Sequence, residues 1–126
     1  MSDLKRILIT GATGKVGQAL INRLLSTPAY DRFMLRALCH HRELKGSERL
    51  EIVRGSIEYR QTVENALDGV SHVVHLATCK DTPDQIMDVA VKGLFWLLET
   101  CRSSPTFQQF ILIGGDAGVG HFVYPH

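Results

Sequence analysis

The feature that most limits what this chain can fold into is Gly11-Ala12-Thr13-Gly14-Lys15-Val16-Gly17, set between an apolar run and an amphipathic one. Arg6-Ile7-Leu8-Ile9-Thr10 is short, apolar and halted at Gly11, as a buried strand is. From Lys15 the apolar residues Val16, Ala19, Leu20 and Leu24 recur at helical spacing, until Ser26-Thr27-Pro28 ends the helix. In a strand-to-helix turn of this kind each glycine has its own task. Gly11 lets the chain leave the strand sharply, Gly14 leaves room for a phosphate to approach the backbone, and Gly17 lets the helix close on the strand. Backbone N–H groups from Thr13 to Val16 then face an anion, helped by the helix dipole. The P-loop spacing does not fit. That motif needs four residues between its glycines and a Ser or Thr after the lysine, whereas Gly11 and Gly14 are separated by two residues and Val16 follows Lys15. Lys15 reads as a solvated helix-start residue with a minor electrostatic role.

The rest of the chain repeats the alternation. Apolar runs at Phe33–Cys39, Leu50–Arg54, Val70–Ala77 and Phe110–Ile113 read as four more strands. Polar residues 40–48 have room for one turn. A short helix over Arg60–Leu67 is closed by Asp68-Gly69, with glycine as its cap. A longer helix starts at Asp81-Thr82-Pro83, carries Ile86, Met87, Ala90, Val91, Leu94, Phe95, Leu97, Leu98 and Cys101, and ends near Ser103-Ser104-Pro105. Strands alternating with helices, and apolar along their length, predict an α/β fold: a doubly wound parallel sheet, order 3-2-1-4-5, in three αβα layers. Such a fold binds its ligand at the carboxyl ends of the strands. Strand, glycine turn and helix together point to the pyrophosphate of a dinucleotide.

Composition excludes several alternatives. At 126 residues and 44% apolar content, one domain with one core is expected over residues 1–126. A formal net charge of +1 offers no basic excess, so neither nucleic acid nor an anionic membrane surface is expected as a partner. No apolar run approaches the roughly 20 residues of a membrane span, and no signal-peptide pattern opens the chain. A cytoplasmic protein is the expectation. The three cysteines, Cys39, Cys79 and Cys101, form no CxxC pair and read as buried thiols. No metal site is expected. His72 and His75 are three apart on a strand and face opposite ways, and no carboxylate or thiol completes a ligand set around His40, His41, His121 or His126.

Thr10-Gly11-Ala12-Thr13-Gly14-Lys15-Val16-Gly17 resembles the TGxxGxxG turn of short-chain dehydrogenases/reductases, in particular the extended NAD-dependent epimerase/dehydratase type. Val73-Val74-His75-Leu76-Ala77 resembles that family's fourth-strand pattern, Val91-Lys92-Gly93-Leu94 its "NVxGT" helix pattern, and Phe110 to Gly120 its fifth strand and following loop. The resemblance covers essentially the whole chain, and the glycine turn is its one highly specific element. It implies cofactor contacts at Gly11, Thr13, Gly14, Lys15, Val16 and Gly17, with Leu76, Ala77 and Thr78 along the adenosine ribose pocket. Gly55-Ser56-Ile57 stands where similar proteins carry Gly-Asp-Leu or Gly-Asp-Ile. Ser56 can accept one hydrogen bond from adenine and Ile57 can pack on its face, although a plain strand-end turn explains the same residues.

An NAD site has an acidic residue at the end of the second strand, about 20 residues beyond the glycines. Cys39 stands there, followed by His40, His41 and Arg42, with no carboxylate before Glu43. That favours NADP over NAD, with His40 and Arg42 on the 2′-phosphate. A solvated basic loop is the competing reading.

Members of the family work by hydride transfer, using a Ser/Thr after the fifth strand and a Tyr-x-x-x-Lys pair on the next helix. Tyr30 is followed at four residues by Met34, Tyr59 by Val63, and Tyr124 is two residues from the end of the sequence. The hydroxyl position falls on Gly115, beside Gly114 and Asp116; the "NVxGT" asparagine falls on Ala90 and its threonine on Leu94. No catalytic residue is therefore assigned. One reading is the N-terminal dinucleotide-binding part of a longer epimerase, dehydratase or reductase acting on an unidentified small molecule. The other is a non-catalytic NAD(P)H-sensing or regulatory module. Met87, Ala90, Val91, Leu94, Phe95, Leu98 and Cys101 make a wide apolar stripe. One face is expected to cover the sheet and the other to be exposed and to support a homodimer through residues 84–102.

Overall fold

The computed structural model describes residues 5–77, 84 and 86–113. Five strands form one parallel sheet: β1 (Lys5–Thr10), β2 (Phe33–Cys39), β3 (Leu50–Arg54), β4 (His72–His75) and β5 (Gln109–Leu112). Their order is β3-β2-β1-β4-β5, the order expected. Pairing is parallel throughout, with Ile7 opposite Leu35 and Leu8 opposite Val73 on the two sides of β1. β4 is shorter than its apolar run, because Val70 and Ser71 approach it through a turn.

Alternate residues of β1 feed two separate cores. Ile7 and Ile9 face one way, where Ile21 and Leu24 of α1 (Lys15–Ser26) cover Leu35, Ala37 and Leu50. Leu8 faces the other, where α2 (Arg60–Leu67) contributes Val63, Ala66 and Leu67, and α3 (Leu94–Ser103) contributes Leu97 and Cys101. A fully covered side chain of this size stabilises the fold by about 1.5–3 kcal/mol, so both faces are apolar cores and the architecture has three layers.

The buried stripe of α1 differs from the expected one. Gly17, Ile21 and Leu24 point inward, while Val16, expected on that face, is 66% exposed. α2 ends as predicted: Gly69, at φ +75°, follows the capping Asp68, a conformation that favours glycine. Arg36 of β2 donates to the carbonyls of Ala66 (2.9 Å) and Asp68 (2.7 Å) there, so a half-buried guanidinium satisfies the helix end.

The long second-half helix is where expectation and structure part. Ile86–Gly93 is a π-helix that runs without a break into α3. Its i→i+5 turn is wider than the α-helical one, so a face read at 3.6 residues per turn is displaced. The core side is Gly93, Leu97 and Cys101; Met87, Val91, Phe95 and Leu98 stand outward, between 48% and 59% exposed. Gly93 allows this close seating, since a Cβ there would lie 2.5 Å from Ile57 Cγ1. The expected start of the helix at Asp81-Thr82-Pro83 lies outside the described residues. So do Thr78, Cys79 and the loop from Gly114 to Gly120, with Tyr124, His121 and His126. No helix among the described residues is long and apolar enough to cross a membrane.

Candidate functional site

β1 and β4 are neighbours, but their chains leave in opposite directions, β1 toward α1 and β4 toward the π-helix and α3. This reversal opens a crevice at the carboxyl edge of the sheet, between the turn after β1 and the segment after β4. The glycine turn forms one wall. Gly11 has φ +65°, and a Cβ on it would lie 2.7 Å from the Leu76 carbonyl carbon and 2.8 Å from the Ala77 nitrogen. It is therefore required twice, by its dihedral and by the opposite wall. A Cβ on Gly17 would lie 2.4 Å from the Gly11 oxygen and 2.8 Å from Ala12 Cα. The close approach expected of Gly17 is thus to the turn itself rather than to the strand. Gly14 is different. A Cβ there would meet nothing nearer than the Gly11 oxygen at 3.5 Å, and the residue is exposed.

The donors differ in one respect from those expected. The Gly14 N–H is used within the turn, donating to the Gly11 carbonyl at 3.2 Å. The first helical N–H groups, of Lys15, Val16 and Gly17, have no intrahelical acceptor by the geometry of any α-helix. No acidic residue stands in the first turn of α1 to compete for an anion. The Thr13 carbonyl accepts from Gln18 Nε2 at 2.7 Å and braces the turn. Lys15 and Val16 are exposed at its mouth.

Thr10 ties the walls together. Its fully buried Oγ1 accepts from the N–H groups of Leu76 (3.0 Å) and Ala77 (3.1 Å), and lies 2.7 Å from His75 Nδ1. Leu76 and Ala77 are thereby held against Gly11. Residue 75 is a site feature that reading the sequence missed. A histidine on a strand carries no signal by itself, and its partner is 65 positions away. His72 does face the other way, as its spacing requires. It sits 2.7 Å from Ser71 Oγ through its Nδ1, with its ring edge-on to Phe33.

The β2–β3 end of the edge holds the remaining predicted residues. Cys39 is buried (1% exposed), and burial pushes its thiol up from the ordinary value, so it is a neutral core residue. His40, His41 and Arg42 follow it into solvent, the two imidazoles stacked with centroids 3.8 Å apart. Glu43, the first carboxylate in the loop, is paired with Arg54 at 2.5 Å. Gly55 turns the chain off β3 at φ +143°, its N–H donating to the Cys39 carbonyl at 3.0 Å. Ser56 is buried, and its Oγ accepts from the Glu58 N–H at 3.3 Å. Ile57, expected at a ligand face, is 4% exposed and packs beneath Gly93. Among the described residues no three His, Cys, Asp or Glu side chains are grouped as metal ligands.

Comparison with known proteins agrees with this geometry. The model of the NAD dependent epimerase/dehydratase family matches residues 7–124. The chain belongs to that family. Tetraketide alpha-pyrone reductase 1 of Arabidopsis thaliana is 25% identical over 126 residues, covering 90% of this chain and 39% of the relative. A putative oxidoreductase of Schizosaccharomyces pombe is 28% identical over 138 residues, covering 97% of this chain and 40% of the relative. The chain thus spans about two fifths of the length of these curated relatives. Among solved structures, uronate dehydrogenase from Agrobacterium tumefaciens superposes with a TM-score of 0.78 at 24% identity, covering 91% of this chain and 42% of that one. A short-chain dehydrogenase/reductase superfamily protein from the same organism, solved with bound NAD, is 30% identical with a TM-score of 0.67, covering 85% and 31%. These neighbours share the parallel dinucleotide fold.

Proposed function

We propose that this chain is the dinucleotide-binding part of an epimerase, dehydratase or reductase that works by hydride transfer on a small molecule. The observation that carries the proposal is the open ground at Gly14 beside the constrained Gly11 and Gly17. Space is kept at the one glycine where a pyrophosphate would approach, in front of the first N–H groups of α1. Gly11, Thr13, Lys15, Val16 and Gly17 would hold the pyrophosphate, with Leu76, Ala77 and Thr78 along the adenosine ribose. Ser56, whose hydroxyl already accepts one bond, has a lone pair left for adenine. The nicotinamide supplies the hydride chemistry when the dinucleotide is bound. Titration of the protein with NADPH and NADH, followed by nucleotide fluorescence, tests the proposal, and binding of neither would refute it.

We further propose a preference for NADP. Cys39 offers no carboxylate to a ribose 2′-OH, and the exposed His40 and Arg42 can meet a 2′-phosphate. Glu43, which would repel that phosphate, is engaged by Arg54. NADPH is expected to bind at least about tenfold more tightly than NADH, and Arg42→Ala to erase most of the difference, the size of one charge-assisted contact. An NADH affinity equal to or above that for NADPH would overturn the preference.

Gly115, where the family's Ser/Thr stands, favours a second reading, a binding module that senses NAD(P)H without turning it over. A bound dinucleotide with no hydride transfer in the full-length protein would decide for it. The buried, free Cys39 and Cys101 fit a reducing compartment, and we place the protein in the cytoplasm. The outward stripe of Met87, Val91, Phe95 and Leu98 supports a homodimer through this helix. Sedimentation is expected to show concentration-dependent dimerisation, abolished by Phe95→Glu; a monomer at high concentration would refute it.

A further inference from the structure

The buried pair Thr10–His75 has a proton arrangement that its neighbours determine. A hydroxyl offers one hydrogen and two lone pairs. Both lone pairs of Thr10 Oγ1 are taken, by the N–H groups of Leu76 and Ala77. Its own hydrogen must then go to His75 Nδ1, 2.7 Å away. Nδ1 is consequently the unprotonated acceptor, and the neutral ring carries its hydrogen on Nε2.

From this we infer that His75 is a positioning residue for the dinucleotide site, its Nδ1 lone pair orienting the Thr10 hydroxyl that holds the Leu76-Ala77 segment against the glycine turn. The inference rests on the dinucleotide reading above. Protonation of Nδ1 would bring a third donor to an oxygen with two lone pairs and leave the Thr10 hydrogen without its acceptor. One of the bonds to Leu76 or Ala77 must then be lost. Those two residues form the surface that Gly11 packs against, so the spacing of the crevice depends on the protonation state of a side chain that need not touch the ligand.

The surroundings favour the neutral ring. His75 is 4% exposed, and burial holds its pKa below the ordinary histidine value. From β1 it faces Thr10, and from β5 the ring of Phe110, centroids 6.0 Å apart. Of the charged groups on the elements packed nearby, Lys5 and Arg6 of β1, Asp88 and Lys92 of the π-helix, and Glu99 and Arg102 of α3, none contributes to its shift. A group that binds its proton more readily when unfolded makes stability rise with pH through that window. Stability is therefore complete above about pH 6.5 and is lost as pH falls below it toward the depressed folded value.

The experiment combines ring-nitrogen NMR with titrations of NADH, which has no 2′-phosphate to titrate beside His40, on the wild type, His75→Asn and His75→Leu. Asparagine keeps an acceptor near the Nδ1 position and does not titrate; leucine supplies none. In the wild type, Nδ1 is expected to be unprotonated at neutral pH, and NADH affinity to fall by about tenfold across the protonation step that the ring signals report, one pKa unit's worth of coupling. His75→Leu should bind weakly on both sides of that step, and His75→Asn should recover most of the affinity and lose the pH dependence. An Nδ1–H tautomer, or a pH profile unchanged in His75→Asn, would overturn the inference. Should the wild type bind neither NADPH nor NADH, the dinucleotide reading fails separately. The Gly11 and Gly14 amide resonances then decide the role of His75: movement with pH in the wild type but not in His75→Asn supports it, and equal movement in both refutes it.

Discussion

Gly11→Ala is expected to destabilise the fold by about 3 kcal/mol and to remove dinucleotide binding with it. Two independent costs add. The left-handed dihedral at φ +65° costs a residue with a side chain roughly 1–2 kcal/mol. The methyl would also stand 2.7–2.8 Å from the Leu76 and Ala77 backbone, which can move only by breaking its bonds to Thr10. Overlap of that kind costs about another 1–3 kcal/mol. For a domain of this size the sum corresponds to a fall in Tm of roughly 10 °C, readable by calorimetry. A shift under about 3 °C would mean that the two walls are not held as tightly as Thr10 implies.

The strand layer was legible because buried parallel strands write themselves as continuous apolar runs. Phe33–Cys39, Leu50–Arg54 and the α2 segment agree with the structure at both ends. The family followed from the same source, since the glycine turn needs only local geometry to be recognised. What failed did so where local pattern and three-dimensional demand separate. A π-helix has no residue signature of its own, so Ile86–Gly93 reads as α-helix and the pattern alone does not say which part of its wide apolar stripe meets the sheet. Val16 is apolar at a helical position and still exposed, because it sits at the mouth of the crevice rather than on the sheet. Gly93 packs over Ile57 from thirty-six positions on, a contact that no local pattern signals. The Thr10–His75 pair is the clearest instance: two unremarkable residues joined only by the register of β1 against β4.

Gly14→Ala separates the binding role of the turn from its folding role. At φ −74° the backbone suits any residue, and the added methyl has no neighbour closer than 3.5 Å. Stability should hold within about 0.5 kcal/mol, the range of an unstrained surface change. Affinity should not hold. The methyl would project into the open space in front of the helix start, where a phosphate must come within about 3 Å of the backbone to take its hydrogen bonds. Displacing it loses charge-assisted bonds worth about 1.5–3 kcal/mol, so NADPH and NADH affinities are both expected to fall by roughly tenfold to a hundredfold. A crevice that served only as a strand-to-helix turn would leave the Gly14→Ala titration identical to the wild type. Gly11 cannot make this distinction, because its loss unfolds the wall on which binding depends, whereas at Gly14 the sole consequence of a side chain is the space it takes from the ligand.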